Sequence, residues 1–596
     1  VVDGAAPLLG PLAASRCALR VRFDAPGGAP AGVTPASESE VSRFRTAEAQ
    51  TFQRTIAAEV HAAHPGALDL SVDPEAPGTE SGTEPRIRRT LAALDAGVEV
   101  IVGGALPDDP AGRRHGRPDV LVRAGRRADG RWGYRPVLVA NHRTLDARRA
   151  VTLAHLDDPE VAVLPMPMLA PADLEQLDLP PEQPSRRDRL ALAHLWRLLE
   201  AVGHEADRPL AAVIGSERVA AWTDLAERGV LDAYDAAFAH RLEVVDAPEP
   251  WPVPPVRVHE CDRCRWQQHC AAELVRVDST SLVPGIGVAQ WQALRSVGVD
   301  TRAELAALPD DLDGDDPRLT AIDEQVGLDW LPTAIDQAWV ATTGGGHAHL
   351  RRDAGALRLP EADVEVDLDM ENALDGSVYL WGVLVDGQYR PAYDWGEPGE
   401  QLSARVFTAF WEQVTELTER AWHDGKRLAF YVWHEQAEIG AMALGARAAA
   451  AAADGVDRRD RVEALVSPPP DELDPTDPLV ALRAAHFVDL LQVYRGRCLH
   501  GSGYGLKVVA PKAGFRWDDE DPSGSESMLW HRSATTEPAA GAPDPRAAMR
   551  ARLLRYNEDD VRATAAVRSG LRTARLPRVG AAPLSLRPGP ERSGWP

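Results

Sequence analysis

The chain has 596 residues, room for roughly two to four domains with ample core. Its net charge of −25 excludes binding to nucleic acid through overall charge, so any phosphate contact must come from local basic groups. No apolar run is long enough to span a bilayer and no basic segment precedes an apolar leader, so a cytoplasmic protein without a membrane partner is expected.

The basic residues are almost all arginine. Of 65 Lys and Arg, only Lys426, Lys507 and Lys512 are lysine. The first segment, residues 1–275, opens with an amphipathic helix in "SRFRTAEAQTFQRTIAAEVHAAH". A buried strand follows in "VEVIVGGAL". Two further strands, "GRPDVLVRAG" and "YRPVLVANHR", are joined by a turn at Asp129-Gly130. Between Arg113 and Arg149 eleven Arg face three Asp, either a solvated basic face or a track for nucleic acid.

The segment closes on Cys261, Cys264 and Cys270, a C-x2-C-x5-C run. Disulfides in loops this short gain little and leave one thiol over, so the run reads as metal ligands in a reducing compartment. The paired histidines of a common zinc motif are absent. An iron–sulfur cluster needs four thiolates, and Cys17 is the natural fourth; the residues alone do not choose iron over zinc. Cys498 reads as a buried thiol.

Residues 276–340 read as helix, tight glycine turn, helix. Gly285 and Gly287 would offer backbone N–H groups to a phosphate at a helix start. Leu282, Ile286, Leu294, Val299, Leu305 and Leu308 form the expected small core.

The third unit, residues 357–572, begins with the clearest hairpin in the chain, "ADVEVDLDMENALDGSVYLWGVLVDG". Asp369 and Glu371 sit two apart, on one face of a strand. Paired carboxylates there suit a phosphodiesterase that uses two Mg²⁺ or Mn²⁺ ions. Asp367 shares that face, so Asp367 and Asp369 are an alternative pair. An amphipathic helix and the buried strand "RLAFYVW" follow, and "FVDLLQVYRG" reads as strand or short helix. No P-loop pattern occurs. In the last helix Tyr556 and Asp560 are four apart and share a face. Residues 573–596 read as a flexible tail.

One distant cysteine before C-x2-C-x5-C, then "DSTSLVPGIGVAQWQALRSVGVDTRAELAAL", "VDLDMENALDGSVYLWGV" and "YNEDDVRAT", resemble as a set the RecB-like nucleases with a C-terminal RNase H-like exonuclease domain. The resemblance covers nearly the whole chain. It implies an α/β multidomain fold. A restriction-endonuclease-like α/β/α core of the PD-(D/E)xK type, stapled by a 4Fe-4S cluster on Cys17, Cys261, Cys264 and Cys270, comes first. A helix-hairpin-helix module and an RNase H-like mixed sheet flanked by helices follow.

In the first core the resemblance places Asp119 as a metal ligand, and Asn141 and Arg143 where the family has acid-x-Lys. No lysine precedes Lys426, and Ala191 and Leu195 stand where the family has Gln and Tyr. This centre therefore reads as degraded, a platform for DNA with Arg143 as a contact. In the last domain the resemblance favours Asp369 and Glu371 over Asp367. It adds Glu438 beside His434, Asp489 as a site-lining or capping residue, Lys507 beside Gly505 as a phosphate contact, Tyr556 to orient the attacking water and Asp560 as a ligand. The expected function is two-metal hydrolysis of nucleic acid, DNA by preference and as an exonuclease. The alternatives are a non-catalytic DNA-repair scaffold, or catalysis in the first domain through Asp119 and an acid such as Glu99.

Overall fold

The computed structural model describes residues 6–71, 83–142, 144, 163–165, 184–216, 218–248, 253–309, 316–344, 348–352, 354, 359–451, 458–467, 480–500, 503–519, 524–538, 543–573, 576 and 578–579. Arg143 lies outside the described residues, as does the tail beyond Val579. The chain divides into two compact units, Val1–Glu273 and Leu274–Pro596. No described helix is long and apolar enough to cross a membrane.

The first unit holds a seven-stranded sheet. Its strands are β1 (Leu68–Asp69), β2 (Val100–Val102), β3 (Val120–Arg126), β4 (Trp132–Val139), β5 (Val163–Pro165), β6 (Leu210–Ile214) and β7 (Val219–Asp224), in the order β1-β2-β3-β4-β6-β7-β5. Alternation along the strands sends side chains to two different cores. Val100, Val120, Val122 and Val137 pack under Ile56 and Val60 of the helix Glu40–Ala63. Ile101, Leu121 and Tyr134 face the other way, onto Leu94 of the helix Thr83–Ala96 and Leu195, Leu198 and Leu199 of the helix Arg186–Val202. Helices thus cover both faces, which is why these strands read as near-continuous apolar runs.

Four of the described arginines of the basic stretch are engaged within this unit. Arg113 pairs with Asp246, Arg114 with Asp109 and Arg127 with Glu205. The guanidinium of Arg123 donates to the Gly97 carbonyl and lies 4.7 Å from the centre of the Trp132 ring.

The second unit opens with short helices, Val288–Ser296, Arg302–Ala306, Pro317–Val326 and Leu331–Thr342. Ile286, Leu294, Val299, Leu305 and Leu308 are buried between them, while Leu282 is only half-buried. These helices join the rest of the unit through ion pairs and hydrogen bonds, among them Arg352 to Asp336 and Arg351 to Thr333.

The remaining strands are β8 (His349–Leu350), β9 (Val364–Asn372), β10 (Val378–Val385), β11 (Gln388–Tyr389), β12 (Ala392–Tyr393), β13 (Leu428–Val432), β14 (His486–Asp489) and β15 (Cys498–Leu499). Six of them form a mixed sheet, β11-β10-β9-β13-β14 with β12 also on β10. β9 and β10 are antiparallel and joined by a tight turn in which Gly376 takes a φ of +88°. β13 and β14 run parallel to β9 and to one another, respectively. The stretch read as strand or helix is both: β14 ends at Asp489 and the helix Leu490–Arg497 starts on it.

Val366 and Leu368 of β9 enter the large core with Phe407, Phe410 and Trp411 of the helix Glu400–His423. The alternate positions, Glu365, Asp367, Asp369 and Glu371, therefore face the other side, where the long helix Arg546–Thr573 lies. Gly382 of β10 permits its close approach, since a Cβ there would stand 2.1 Å from Asn557 Oδ1. Cys498 is fully buried. The tail expected from residue 573 is pinned at its start: Arg578 donates to the carbonyls of Arg351, Arg352 and Ala354, and Val579 N–H to that of Leu350. Those carbonyls lie along the edge left by the short strand β8, and the arginine fork satisfies them.

Candidate active site

The four acids of β9 meet different partners along one helix. Arg572 pairs with Glu365 at 2.5 Å, and Arg568 binds Asp367 through two hydrogen bonds of 2.8 and 2.9 Å. Arg568 also contacts Glu365. The alternative ligand pair Asp367/Asp369 is therefore not built, because Asp367 is already neutralised by a forked guanidinium. Two turns nearer its start, the same helix presents Asn557 and Asp560 instead of arginine. Asp369, Glu371 and Asp560 place carboxylate oxygens within 4.8 Å of one another, and among the described residues they are the one group of metal-ligating side chains gathered this closely.

Each member is held. Asn557 donates to Asp369 at 2.8 Å and itself accepts from the Tyr389 hydroxyl at 2.8 Å. Ser527, from the helix Gly524–Thr535, donates to Glu371 at 2.8 Å. The Trp517 indole donates to Asp560 at 2.6 Å. Lys507 donates to the Tyr556 hydroxyl and lies over its ring, 4.6 Å from the centre.

Three acids this close resist ionisation. Burial, then the charges of Asp560, Glu371 and Glu438, hold Asp369 well above the carboxylate range. Burial and Asp560 push Glu371 up to about 8 against the Ser527 hydrogen bond and the Lys507 charge. Burial also raises Asp560, opposed by Lys507, Trp517 and a hydrogen bond from Tyr556. Tyr556 is raised as well, by burial and by the charges of Glu371 and Asp560.

The other expected site residues fall as follows. Glu438 is buried and raised to about 8 by burial, then by Asp489. Its Oε2 has no hydrogen-bond partner among the described residues, and its charge acts on Asp369, so it flanks the trio without joining it. Asp489 caps the helix Leu490–Arg497, accepting from the N–H groups of Gln492 and Glu435 at 2.8 and 3.1 Å. Gly285 and Gly287 sit at the start of the helix Val288–Ser296, but the Gly287 N–H is taken by Gln290 Oε1 at 3.2 Å.

In the first unit Asp119 immediately precedes β3 and accepts the Val139 N–H at 2.7 Å, its one hydrogen bond among the described residues. Burial alone pushes it up to about 7, with no neighbouring charge contributing. Asn141 is exposed, and Ala191 and Leu195 are buried. Glu99 cannot serve Asp119: it is exposed, and its carbonyl pairs with Arg123, four residues along the strand, or about 13 Å away. The four cysteines Cys17, Cys261, Cys264 and Cys270 do converge, lining one small cavity with Leu19, Phe23 and Trp266. Burial raises Cys17 and Cys264 and pushes Cys270 up to about 12. The other thiols add to the rise in Cys270.

Sequence reasoning missed Asn557, Ser527, Trp517 and Tyr389. Only Asn557 had a signal, as the neighbour of Tyr556 in "YNEDD".

With this geometry in place, comparison with known proteins identifies the class of the C-terminal region: residues 462–571 match the RNase_H_2 model of the RNase H superfamily. The matched segment, under a fifth of the chain, carries Asp489, Lys507, Tyr556 and Asp560, and of these Asp560 joins Asp369 and Glu371 from further upstream, with Lys507 and Tyr556 beside them. No curated protein and no solved structure matches the chain. The C-terminal unit thus carries an RNase H-like domain, a nuclease-type fold, with an acidic cluster suited to divalent metal.

Proposed function

We propose that this chain is a metal-dependent nuclease that hydrolyses phosphodiester bonds in its RNase H-like domain, on DNA and from strand ends. The observation that carries the reading is the convergence of Asp369, Glu371 and Asp560, from a strand and a helix almost 190 residues apart, into one group within 4.8 Å, with Glu371 and Asp560 buried and Asp369 half-buried. The donor set fits Mg²⁺ or Mn²⁺: all ligands are carboxylate oxygens, and the orphaned Glu438 Oε2 points to missing positive charge. When bound, a pair of such ions would supply Lewis acidity to the attacking and leaving oxygens.

The chain's own residues do the rest. Asn557, Ser527 and Trp517 fix one oxygen each of the three acids, so the ligands are oriented before anything binds. Lys507 brings a compact positive charge beside them and suits a non-bridging phosphate oxygen. Tyr556 holds its hydroxyl between Lys507 and Asp560 and keeps its proton, so it orients a water without acting as a base.

The first unit serves as a DNA-holding platform with a 4Fe-4S cluster on Cys17, Cys261, Cys264 and Cys270. One observation supports a metal group there: the four thiols share one cavity. The cluster would tie Cys17, at the start of the helix Ala18–Asp24, to the end of the unit. Among the described residues Asp119 gathers no second carboxylate, which favours a holding over a cutting role for the unit.

The test is nuclease activity with Mn²⁺ on end-labelled single-stranded and duplex DNA and RNA, with anaerobically purified protein. Activity lost in Asp369→Ala/Glu371→Ala supports the reading. Activity that survives moves catalysis elsewhere, and no activity in the wild type favours a scaffold. A visible absorbance band with matching iron and sulfide content tests the cluster.

A further inference from the structure

We infer that Tyr393 and Trp395 form a base-stacking platform that leads a single nucleic-acid strand to the acidic trio. The inference rests on the nuclease reading of that trio and names the form of its substrate.

An aromatic series runs from the surface to Glu371. Tyr393, on β12, is one of the few large apolar side chains left exposed, at 45%. Its ring lies 5.4 Å from that of Trp395. Trp395 in turn lies 5.8 Å from Tyr379 and 6.3 Å from His531, tilted from them by only 35° and 32°. Tyr379 and His531 stack at 4.0 Å and 25°. The series ends at the site: the Glu371 charge acts on Tyr379, and one helix carries His531 and, a turn earlier, the Ser527 that binds Glu371. Register agrees, for Tyr393 pairs with Leu380, which pairs with Glu371.

Two polar features mark this series as more than core. The Arg550 guanidinium lies 5.7 Å from the centre of the Trp395 ring. The His531 Nε2 is buried without a hydrogen-bond partner among the described residues. An exposed tyrosine backed by a half-buried tryptophan and a guanidinium is what an unpaired base stacks on, and such stacking tolerates any base. Bases in a duplex have their faces covered and cannot use it. The occupant is therefore a single strand or a frayed end, its bases on Tyr393 and Trp395 and its backbone continuing toward Lys507 and the acids.

The test uses the full chain with Tyr393→Leu, Trp395→Leu and the double variant, and a fluorescein-labelled oligonucleotide. Metal-free binding is read by anisotropy, and hydrolysis with Mn²⁺ by KM and kcat. The double variant should weaken single-strand binding and raise KM by roughly 5- to 100-fold, with kcat and blunt-duplex binding little changed. Tyr393→Phe, which keeps the ring, should behave as wild type. Single-strand binding and KM unchanged in the double variant would overturn the inference while leaving the nuclease reading intact. A wild type that binds single strands through these rings but cuts nothing would sink the nuclease reading instead. Because Tyr393 is exposed, its substitution leaves the fold unthreatened, so the Tyr393→Leu arm remains decisive even if Trp395→Leu misfolds.

Discussion

Asp119 and Asp369 are both half-buried aspartates beside mixed sheets covered by helices, yet they are in opposite situations. Among the described residues Asp119 meets one backbone N–H and no charged partner, and burial lifts it to about 7. Asp369 meets Glu371 and Asp560, with Glu438 and Lys507 close enough to act on it. A lone buried acid settles its account with the solvent by taking a proton, and it then behaves as a structural hydrogen-bonding group. Three acids held together by Asn557, Ser527 and Trp517 also hold protons when no cation is present, but their oxygens converge on one point that a cation can fill in the protons' place. The same lesson holds within β9, where Arg568 and Arg572 silence Asp367 and Glu365 and leave the other two acids open.

The comparison breaks most visibly in activity. Asp560→Asn should lower Mn²⁺-dependent cleavage by more than about 100-fold, while Asp119→Asn leaves it within about twofold. Rates of cleavage of a labelled strand check both; comparable losses would erase the distinction.

Next comes the support around the trio. Asn557→Ala removes the donor to Asp369 and should cost roughly 10-fold in activity or Mn²⁺ affinity. Titration calorimetry reads the affinity directly, and an unchanged value would mean Asp369 needs no orienting partner.

The pH dependence of stability sharpens the contrast further. Glu371 and Glu438 move from an ordinary value near 4.5 to about 8 on folding. Between those values the metal-free native state holds protons that the unfolded state has released, so its stability falls as pH rises. Saturating Mn²⁺ should flatten this slope by replacing the protons. Thermal unfolding from pH 5 to pH 8, in chelator and in Mn²⁺, measures it, and parallel slopes would count against a cation in the cluster. The smallest expected effect belongs to Asp119, which rises from 3.8 to about 7 on folding. Above pH 7, Asp119→Asn should raise the melting temperature of the first unit, because a neutral amide still accepts from Val139 without the cost of an ionised carboxylate there.

Much of the acidic cluster was legible in the sequence because period-2 alternation in β9 and four-residue spacing in the last helix are local properties. They put Asp369 with Glu371, and Tyr556 with Asp560, before any fold is known. The spacing of Cys261, Cys264 and Cys270 was legible for the same reason. What alternation could not decide is which acids on a face are neutralised, since that depends on Arg568 lying about 200 residues from Asp367. Trp517 and Ser527 were silent because a single indole or hydroxyl in a loop or helix carries no pattern. Glu99 was misjudged because strand register, not sequence distance, sets which end of β2 it occupies. The pinned start of the tail escaped composition, which sees proline and glycine but not an arginine fork placed on three carbonyls.

The most direct measurement is Mn²⁺ binding to the full chain by titration calorimetry, comparing wild type with Asp560→Asn and Asp119→Asn. Binding abolished by Asp560→Asn and untouched by Asp119→Asn is the result predicted here. Binding that survives Asp560→Asn, or that disappears with Asp119→Asn, would contradict the assignment of the metal-dependent centre to the RNase H-like domain.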